Sequence, residues 1–162
     1  MIAFLYFFLI QPVQAEIWPD LSKPPKTKER SNDVALVVSI ENYIFASDIQ
    51  GAQKNGRDWY NYFTYSKGIP AENVILLEDE QATKENIETE ASKIANRVGE
   101  NGRVWFVYIG HGAPSIDGSD GLLLGSDVQQ TSNSIQARGV SQKVLLEHSF
   151  LLQKQANFVP LS

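Results

Sequence analysis

Three short apolar runs separated by two amphipathic stretches constrain the fold of this chain more than any other feature of its sequence. The first run, residues 34–40, is rich in β-branched side chains, which is typical of a strand buried on both faces. Residues 74–77 and 104–109 repeat this character. Because strands that alternate with helices form parallel sheets through right-handed crossovers, we expect an α/β fold with a mainly parallel sheet and helices on both faces.

The two intervening stretches have the spacing of helices. Ala52, Gly56, Trp59 and Phe63 recur at helical intervals in the first stretch. In the second, Thr83 is placed to cap a helix. The apolar side chains that follow share one helical face, namely Ile87, Ala91, Ile94, Ala95 and Val98.

The region after the third run is less regular. Asp120-Gly121 predicts a turn, and residues 122–124 are predicted to form one arm of a small hairpin. Ser141 is placed to cap a last helix that carries Val144, Leu145, Phe150, Leu151 and Leu152.

Length, charge and cysteine content exclude several classes of protein. The chain has 162 residues, which suits one domain. Its 19 acidic and 14 basic side chains give a net charge of -5, which argues against nucleic-acid binding. The absence of cysteine excludes disulfides, thiolate metal sites and a thiol nucleophile within these residues. No phosphate-binding glycine motif is present, so no cofactor is predicted.

The first fifteen residues have the layout of a secretory signal. Residues 2–10 are an unbroken apolar run, about half of the roughly 20 residues that span a bilayer, so we expect no membrane span. Pro12 and small residues follow, which predicts cleavage between Ala15 and Glu16 and a secreted or periplasmic protein. No basic residue precedes the run, and the alternatives are a buried N-terminal strand or a wrongly chosen start site.

A linker is predicted between this segment and the domain. Residues 16–32 contain three prolines and several charges, which oppose helix and strand formation. The folded domain is therefore expected over residues 33–162.

The carboxyl ends of the predicted strands carry the polar residues most suited to chemistry. They are Glu41-Asn42, Glu78-Asp79 and Gly110-His111-Gly112. The flanking glycines leave the His111 imidazole uncrowded, and an imidazole that titrates near neutrality suits general acid and base catalysis. The Gly112 N–H is suited to stabilise an oxyanion. The alternative is that His111 merely ends a strand in a glycine-rich turn.

Other polar residues are weaker candidates. His148 lies inside the last predicted helix without acidic or glycine neighbours, so we do not assign it to a site. Three aspartates after His111 could supply carboxylate ligands to a hard cation such as calcium. Their spacing does not match a calcium-binding loop, so no metal site is predicted. Two serines are potential nucleophiles that lack the G-x-S-x-G motif. These residues are Asp117, Asp120, Asp127, Ser39 and Ser115.

Several segments together resemble the caspase-like cysteine peptidases, the family of caspases and metacaspases, and its bacterial members in particular. The strongest segment is Val107-Tyr108-Ile109-Gly110-His111-Gly112-Ala113, and the resemblance extends over about residues 34–150. The other segments are Ala35 to Tyr43, Ile49 to Ala52, Leu76-Leu77 with Asp79, Ala82-Thr83, Asp117-Gly118 and Leu122 to Leu124 with Asp127.

The resemblance implies a caspase-like three-layer fold that cleaves a peptide or protein substrate with a Cys-His dyad. His111 would be the general base and acid, and Gly112 would contribute to the oxyanion hole. The chain departs from the family pattern at Asn55-Gly56, where an aspartate followed by a small residue is expected. It also lacks the cysteine, which in caspases follows the histidine by roughly 50 residues.

Two functional classes therefore remain open. In the first, the chain is the N-terminal portion of a secreted caspase-like peptidase, interrupted before its nucleophile, and the polar residues 153–162 favour this interpretation. In the second, it is a non-catalytic module that binds peptides or a partner. In both, we expect no thiol-dependent peptidase activity from the chain as written. The domain over residues 33–162 is also expected to be C-terminally incomplete and to lack its C-terminal strands. The unpaired sheet edge that results invites self-association or pairing with a complementary fragment.

Overall fold

A three-stranded parallel sheet forms the centre of the protein. In this computed structural model, residues 20–147 are described, so the predicted signal with its cleavage site after Ala15, and His148, lie outside the described residues. The strands are β1 (Val34–Ser39), β2 (Val74–Glu78) and β3 (Val104–Ile109), in the order β2-β1-β3. Both pairings of the central strand are parallel, and all six residues of β1 are buried. The predicted α/β class with a parallel sheet is confirmed.

Two helices cover opposite faces of this sheet. Helix α1 (Ala52–Asn61) continues as a π-helical turn over Tyr62–Ser66, and helix α2 (Lys84–Ala95) follows β2. Alternate side chains of β1 divide between two apolar clusters, one shared with α1 and its π-helical turn and the other with α2. The predicted cap of α2 is present, since the Asn86 N–H donates to Thr83 Oγ1 at 3.3 Å.

A second, antiparallel sheet follows β3. Its strands are β4 (Gly112–Pro114), β5 (Gly121–Leu124) and β6 (Gly139–Ser141), with helix α3 (Ser132–Arg138) before β6. Residues 142–147 are helical, and Ser141 caps them by accepting the Val144 N–H at 3.2 Å. The predicted hairpin arm at residues 122–124 corresponds to β5, and the predicted cap at Ser141 is present. Strands β4 and β6 and helix α3 were not predicted, because each is too short for a recognisable hydrophobic periodicity.

The segment that precedes β1 lies against the domain. Residues 20–33 form no helix or strand. Even so, the Thr27 N–H donates to the Tyr65 carbonyl at 2.7 Å, and the Ser31 N–H donates to the Gly68 carbonyl at 2.9 Å. This part of the predicted linker is thus hydrogen-bonded to the turn that ends α1.

Both outer edges of the central sheet, those of β2 and β3, lack a strand partner within the described part of the chain. β3 pairs with β1, and no strand of residues 20–147 pairs with its other edge. Beside β3, apolar side chains from α2 and residues 142–147 line a cavity of about 300 Å³. Self-association through this edge stays a prediction. None of the helices within residues 20–147 has the length and apolar character that a bilayer crossing requires.

Close packing between α1 and the end of β1 depends on Gly56. A Cβ atom at this position would lie 2.3 Å from Ser39 Oγ and 2.6 Å from Ser39 Cβ. Ser39 is fully buried, and its Cβ is attached directly to the backbone of β1, so rotation of the side chain does not relieve the contact. The glycine therefore sets how closely α1 approaches the sheet.

Substituting Gly56 by alanine is expected to destabilise the fold by about 1–3 kcal/mol, because the added methyl group overpacks this contact. Urea denaturation measures the effect, with Asn55→Ala at the neighbouring exposed position as the control. Adding Ser39→Gly to Gly56→Ala is expected to recover part of the loss. Wild-type stability of Gly56→Ala would contradict this account of the helix–sheet contact.

Candidate functional site

The carboxyl ends of the three parallel strands meet at one edge of the sheet, as predicted, and their polar residues form two connected groups. Asp79, after β2, contacts Glu41 and Asn42 after β1. His111, two residues after β3, contacts Tyr43 and Ser47 instead. Residues 41–51, the β1–α1 loop, therefore connect the carboxylate with the imidazole.

The backbone of His111 is fixed on both sides by two tyrosines and β5. Its N–H donates to Tyr43 Oη at 2.7 Å. Its carbonyl accepts the Leu124 N–H at 3.0 Å and lies 2.7 Å from the Tyr108 hydroxyl. The Tyr43 ring also lies against the imidazole, with 4.8 Å between the ring centroids. The backbone of His111 is thus fixed by the two tyrosines and by β5.

Both tyrosines act as neutral hydroxyl groups in this arrangement. Burial raises the pKa of the Tyr43 phenol above its ordinary value. Burial raises the pKa of the Tyr108 phenol as well, and the neighbouring Tyr43 adds to that increase. The two oxygens are 3.3 Å apart, and each also lies within hydrogen-bond distance of the Leu124 carbonyl. Neutral phenols both donate and accept, which this network requires.

The imidazole of His111 is oriented by a backbone carbonyl. Its Nε2 lies 2.8 Å from the Ser47 carbonyl oxygen. A carbonyl oxygen only accepts hydrogen bonds, so this contact favours the tautomer with the proton on Nε2. In the neutral ring the lone pair is then on Nδ1, for which residues 20–147 provide no hydrogen-bond donor. His111, which is half-buried, is therefore oriented as a base through Nδ1.

The Gly112 N–H faces away from the small sheet. Gly112 lies opposite Leu123 in the antiparallel register, and the Leu124 N–H bonds to the carbonyl of the preceding His111. In an antiparallel ladder this makes Gly112 and Leu123 a non-hydrogen-bonded pair, whose N–H groups point away from the partner strand. β4 is an edge strand and Gly112 is exposed, so this N–H is directed to solvent.

Asp79 is the most heavily hydrogen-bonded carboxylate among the described residues. Its Oδ1 accepts the N–H groups of Glu41 and Asn42, and its Oδ2 accepts the side-chain amides of Asn42 and Gln53. Burial alone would raise the pKa of Asp79, but the hydrogen bonds from Asn42, Glu41 and Gln53 outweigh it and lower the pKa. The residue is 7% exposed, so it holds the loop from inside the protein.

The two serines considered as nucleophiles, Ser39 and Ser115, both have structural roles. Ser39 is fully buried beneath Gly56, which removes it from any substrate. Ser115 donates to Asp117 at 2.6 Å within an exposed turn.

The three aspartates after His111 do not converge. The hydroxyl of Ser115 and groups of Ser119 lower the pKa of Asp117 to about 2. Asp120 accepts the Ser141 hydroxyl, and Asp127 pairs with Arg138. No group of three or more acidic or histidine side chains within residues 20–147 is arranged to hold a metal ion.

Three contributors to the site are not predictable from the sequence. Tyr43 and Tyr108 lie in segments that carry the family resemblance, but the resemblance implies no role for either. An isolated tyrosine at the end of a strand has no sequence signal for a buried hydroxyl pair. The contribution of Ser47 comes from its backbone carbonyl, which is independent of residue type and therefore leaves no mark in a single sequence.

Comparison of the sequence with models of known protein families and with curated proteins gave no match.

Proposed function

We propose that this domain is the histidine-bearing part of a caspase-like cysteine peptidase. In this assignment His111 is the general base and acid, and Gly112 donates its N–H to the oxyanion. The observation that carries the proposal is the geometry at the end of β3. The Ser47 carbonyl binds Nε2 and leaves Nδ1 as the basic nitrogen, and the next residue presents an N–H without a ladder partner.

His111 Nδ1 and the Gly112 N–H are the two groups of this chain that would promote transfer of an acyl group from a peptide to a thiol. Nδ1 takes the proton of the thiol, and the thiolate sulfur attacks the carbonyl carbon while the Gly112 N–H stabilises the oxyanion. The imidazolium then gives its proton to the departing amine as the C–N bond breaks. Water, deprotonated by the same nitrogen, hydrolyses the thioester and regenerates the thiol with release of the peptide acid.

The architecture supports the same proposal. A parallel sheet with helices on both faces, and a histidine at its carboxyl edge, is the arrangement that the family resemblance implies. The finer assignment, a caspase-like three-layer fold, is part of the proposal. It rests on the order of the segments from Ala35 to Leu124 together with this topology.

The nucleophilic sulfur has to come from outside these 162 residues, since they contain no cysteine. The outer edge of β3 indicates where it would enter. A strand that paired in parallel with β3 would end beside His111, because β3 itself ends at Ile109. Within the described range no strand pairs with this edge, so its backbone groups are available to such a strand.

A non-catalytic peptide-binding module is the second candidate, and the absence of cysteine is the observation that favours it. In that case the same sheet edge binds a peptide or a partner without cleaving it. The secretory signal expected from residues 1–15 would export the protein in either case.

The chain by itself is expected to show no thiol-dependent peptide hydrolysis. Purified protein is assayed with peptides that carry acidic or basic residues before the scissile bond, with and without a thiol-alkylating reagent. Hydrolysis that the reagent abolishes would refute the proposal for this chain, because there is no thiol to alkylate.

Peptides with a free C-terminal carboxylate, which mimic the product, are expected to bind at Gly112 and His111. Short peptides ending in acidic, basic or apolar residues are titrated as acids and as C-terminal amides, and the Gly112 amide resonance is followed by NMR. We expect the acids to bind about tenfold more tightly than the amides, because a carboxylate makes charge-assisted hydrogen bonds. His111→Ala is expected to remove this preference.

Gly118, at the turn between β4 and β5, provides an internal control resonance. Equal binding of acids and amides that is insensitive to His111→Ala would contradict the peptidase-type site and favour the binding module. Failure of all the peptides to shift Gly112 would contradict both candidates at this edge of the sheet.

A further inference from the structure

We propose that Asp79 is a positioning residue for His111, acting through the β1–α1 loop. The relevance of this role to catalysis rests on the function proposed above, whereas the coupling itself is a property of the fold. None of the four hydrogen bonds that Asp79 accepts comes from His111. Its four hydrogen bonds are made to the start of the loop and to α1, and the loop in turn contacts His111 at two places.

The first step of the coupling is the attachment of the loop to Asp79. Oδ1 accepts the N–H groups of Glu41 at 2.8 Å and Asn42 at 3.1 Å. Oδ2 accepts Asn42 Nδ2 and Gln53 Nε2, both at 2.6 Å. Because two of these donors are backbone groups, the carboxylate fixes the direction in which the chain leaves β1.

The second step is closure of the loop on itself. The Glu41 carbonyl accepts the Ile49 N–H at 2.8 Å, and Glu41 Oε2 accepts the Gln53 N–H at 3.2 Å. Both ends of the loop are thereby joined at the residue that Asp79 holds. A change at Asp79 is therefore transmitted to the whole loop and not only to its first residues.

The third step is the contact between the loop and the histidine. Tyr43 directly follows the residues bound to Asp79, and its hydroxyl accepts the His111 N–H at 2.7 Å. The Ser47 carbonyl, further along the loop, binds His111 Nε2 at 2.8 Å. Between them, Ile44 and Phe45 are more than half exposed, at 58% and 54%. The loop is also attached by the Ile44 N–H bond to the Ser126 carbonyl at 3.1 Å, and Ala46 packs against the core. Within the loop, the Tyr43 N–H donates to Asp48 Oδ1 at 3.3 Å.

The backbone of Asp79 is consistent with a specialised role. Its φ of 43° lies in the left-handed region, which non-glycine residues adopt at a cost. Aspartate tolerates this region better than most residues do. The conformation places the carboxylate beneath the loop, where it meets two backbone N–H groups at once.

The test uses the Nε2-bound proton of His111, which the Ser47 carbonyl protects from exchange with water. Its exchange rate is measured by NMR in the full chain at low temperature, together with the nuclear Overhauser effect between His111 and Ser47. Asp79→Ala is expected to raise the exchange rate roughly tenfold, the factor that corresponds to loss of about one net hydrogen bond. The Overhauser effect is expected to weaken in parallel.

Asp33→Ala is the matched control. Asp33 also accepts two strong hydrogen bonds, from the Arg103 N–H at 2.9 Å and from Trp105 Nε1 at 2.8 Å. It precedes β1, at the opposite end of the same sheet. This variant loses a carboxylate and its bonds without touching the loop, so the exchange of the His111 proton is expected to remain as in the wild type.

Asn42→Ala keeps the proposal testable if Asp79→Ala does not fold. The Asn42 side chain is exposed, and its removal deletes one of the four bonds to Asp79. The exchange rate is then expected to rise two- to threefold. If every folded variant of Asp79 or Asn42 exchanges the His111 proton at the control rate, the positioning role is refuted, whatever the peptide titrations show.

Discussion

Strand β1 is buried on both faces and holds the two helical layers together. Its alternate side chains pack against α1 on one face and α2 on the other, so a single strand joins both helical layers. Because β2 and β3 both pair with β1 in parallel, the carboxyl ends of the three strands lie at the same edge of the sheet. Every polar contact of the candidate site is built on that convergence.

The site itself is held by buried polar groups that make specific hydrogen bonds. Tyr43 and Tyr108 fix the backbone of His111, while Asp79 fixes the loop that carries Tyr43 and Ser47. Buried groups of this kind are stable only when they are hydrogen-bonded, and these are. The imidazole is consequently oriented without a ligand, so the proposed role as a general base would require little reorganisation.

The sequence was sufficient to predict the α/β class, both covering helices and the cap residues Thr83 and Ser141, because these depend on local periodicity and local hydrogen bonds. It also placed Asp79, His111 and Gly112 at one edge, since parallel strands bring their carboxyl ends together. It did not predict which of these groups touch each other. The pairing of Asp79 with the β1–α1 loop, and of His111 with a carbonyl of that loop, depends on the path of an irregular segment. The free N–H of Gly112 depends on the register of a three-residue strand.

The proposed role of His111 depends on the Ser47 carbonyl, which binds Nε2 and leaves Nδ1 as the basic nitrogen. The ¹⁵N chemical shifts of both ring nitrogens in the wild-type chain, at a pH where the imidazole is neutral, test this tautomer. We expect a protonated Nε2 and an unprotonated Nδ1. A neutral ring with its proton on Nδ1 would refute the proposed role, because the nitrogen assigned as the base would then have no lone pair to accept a proton.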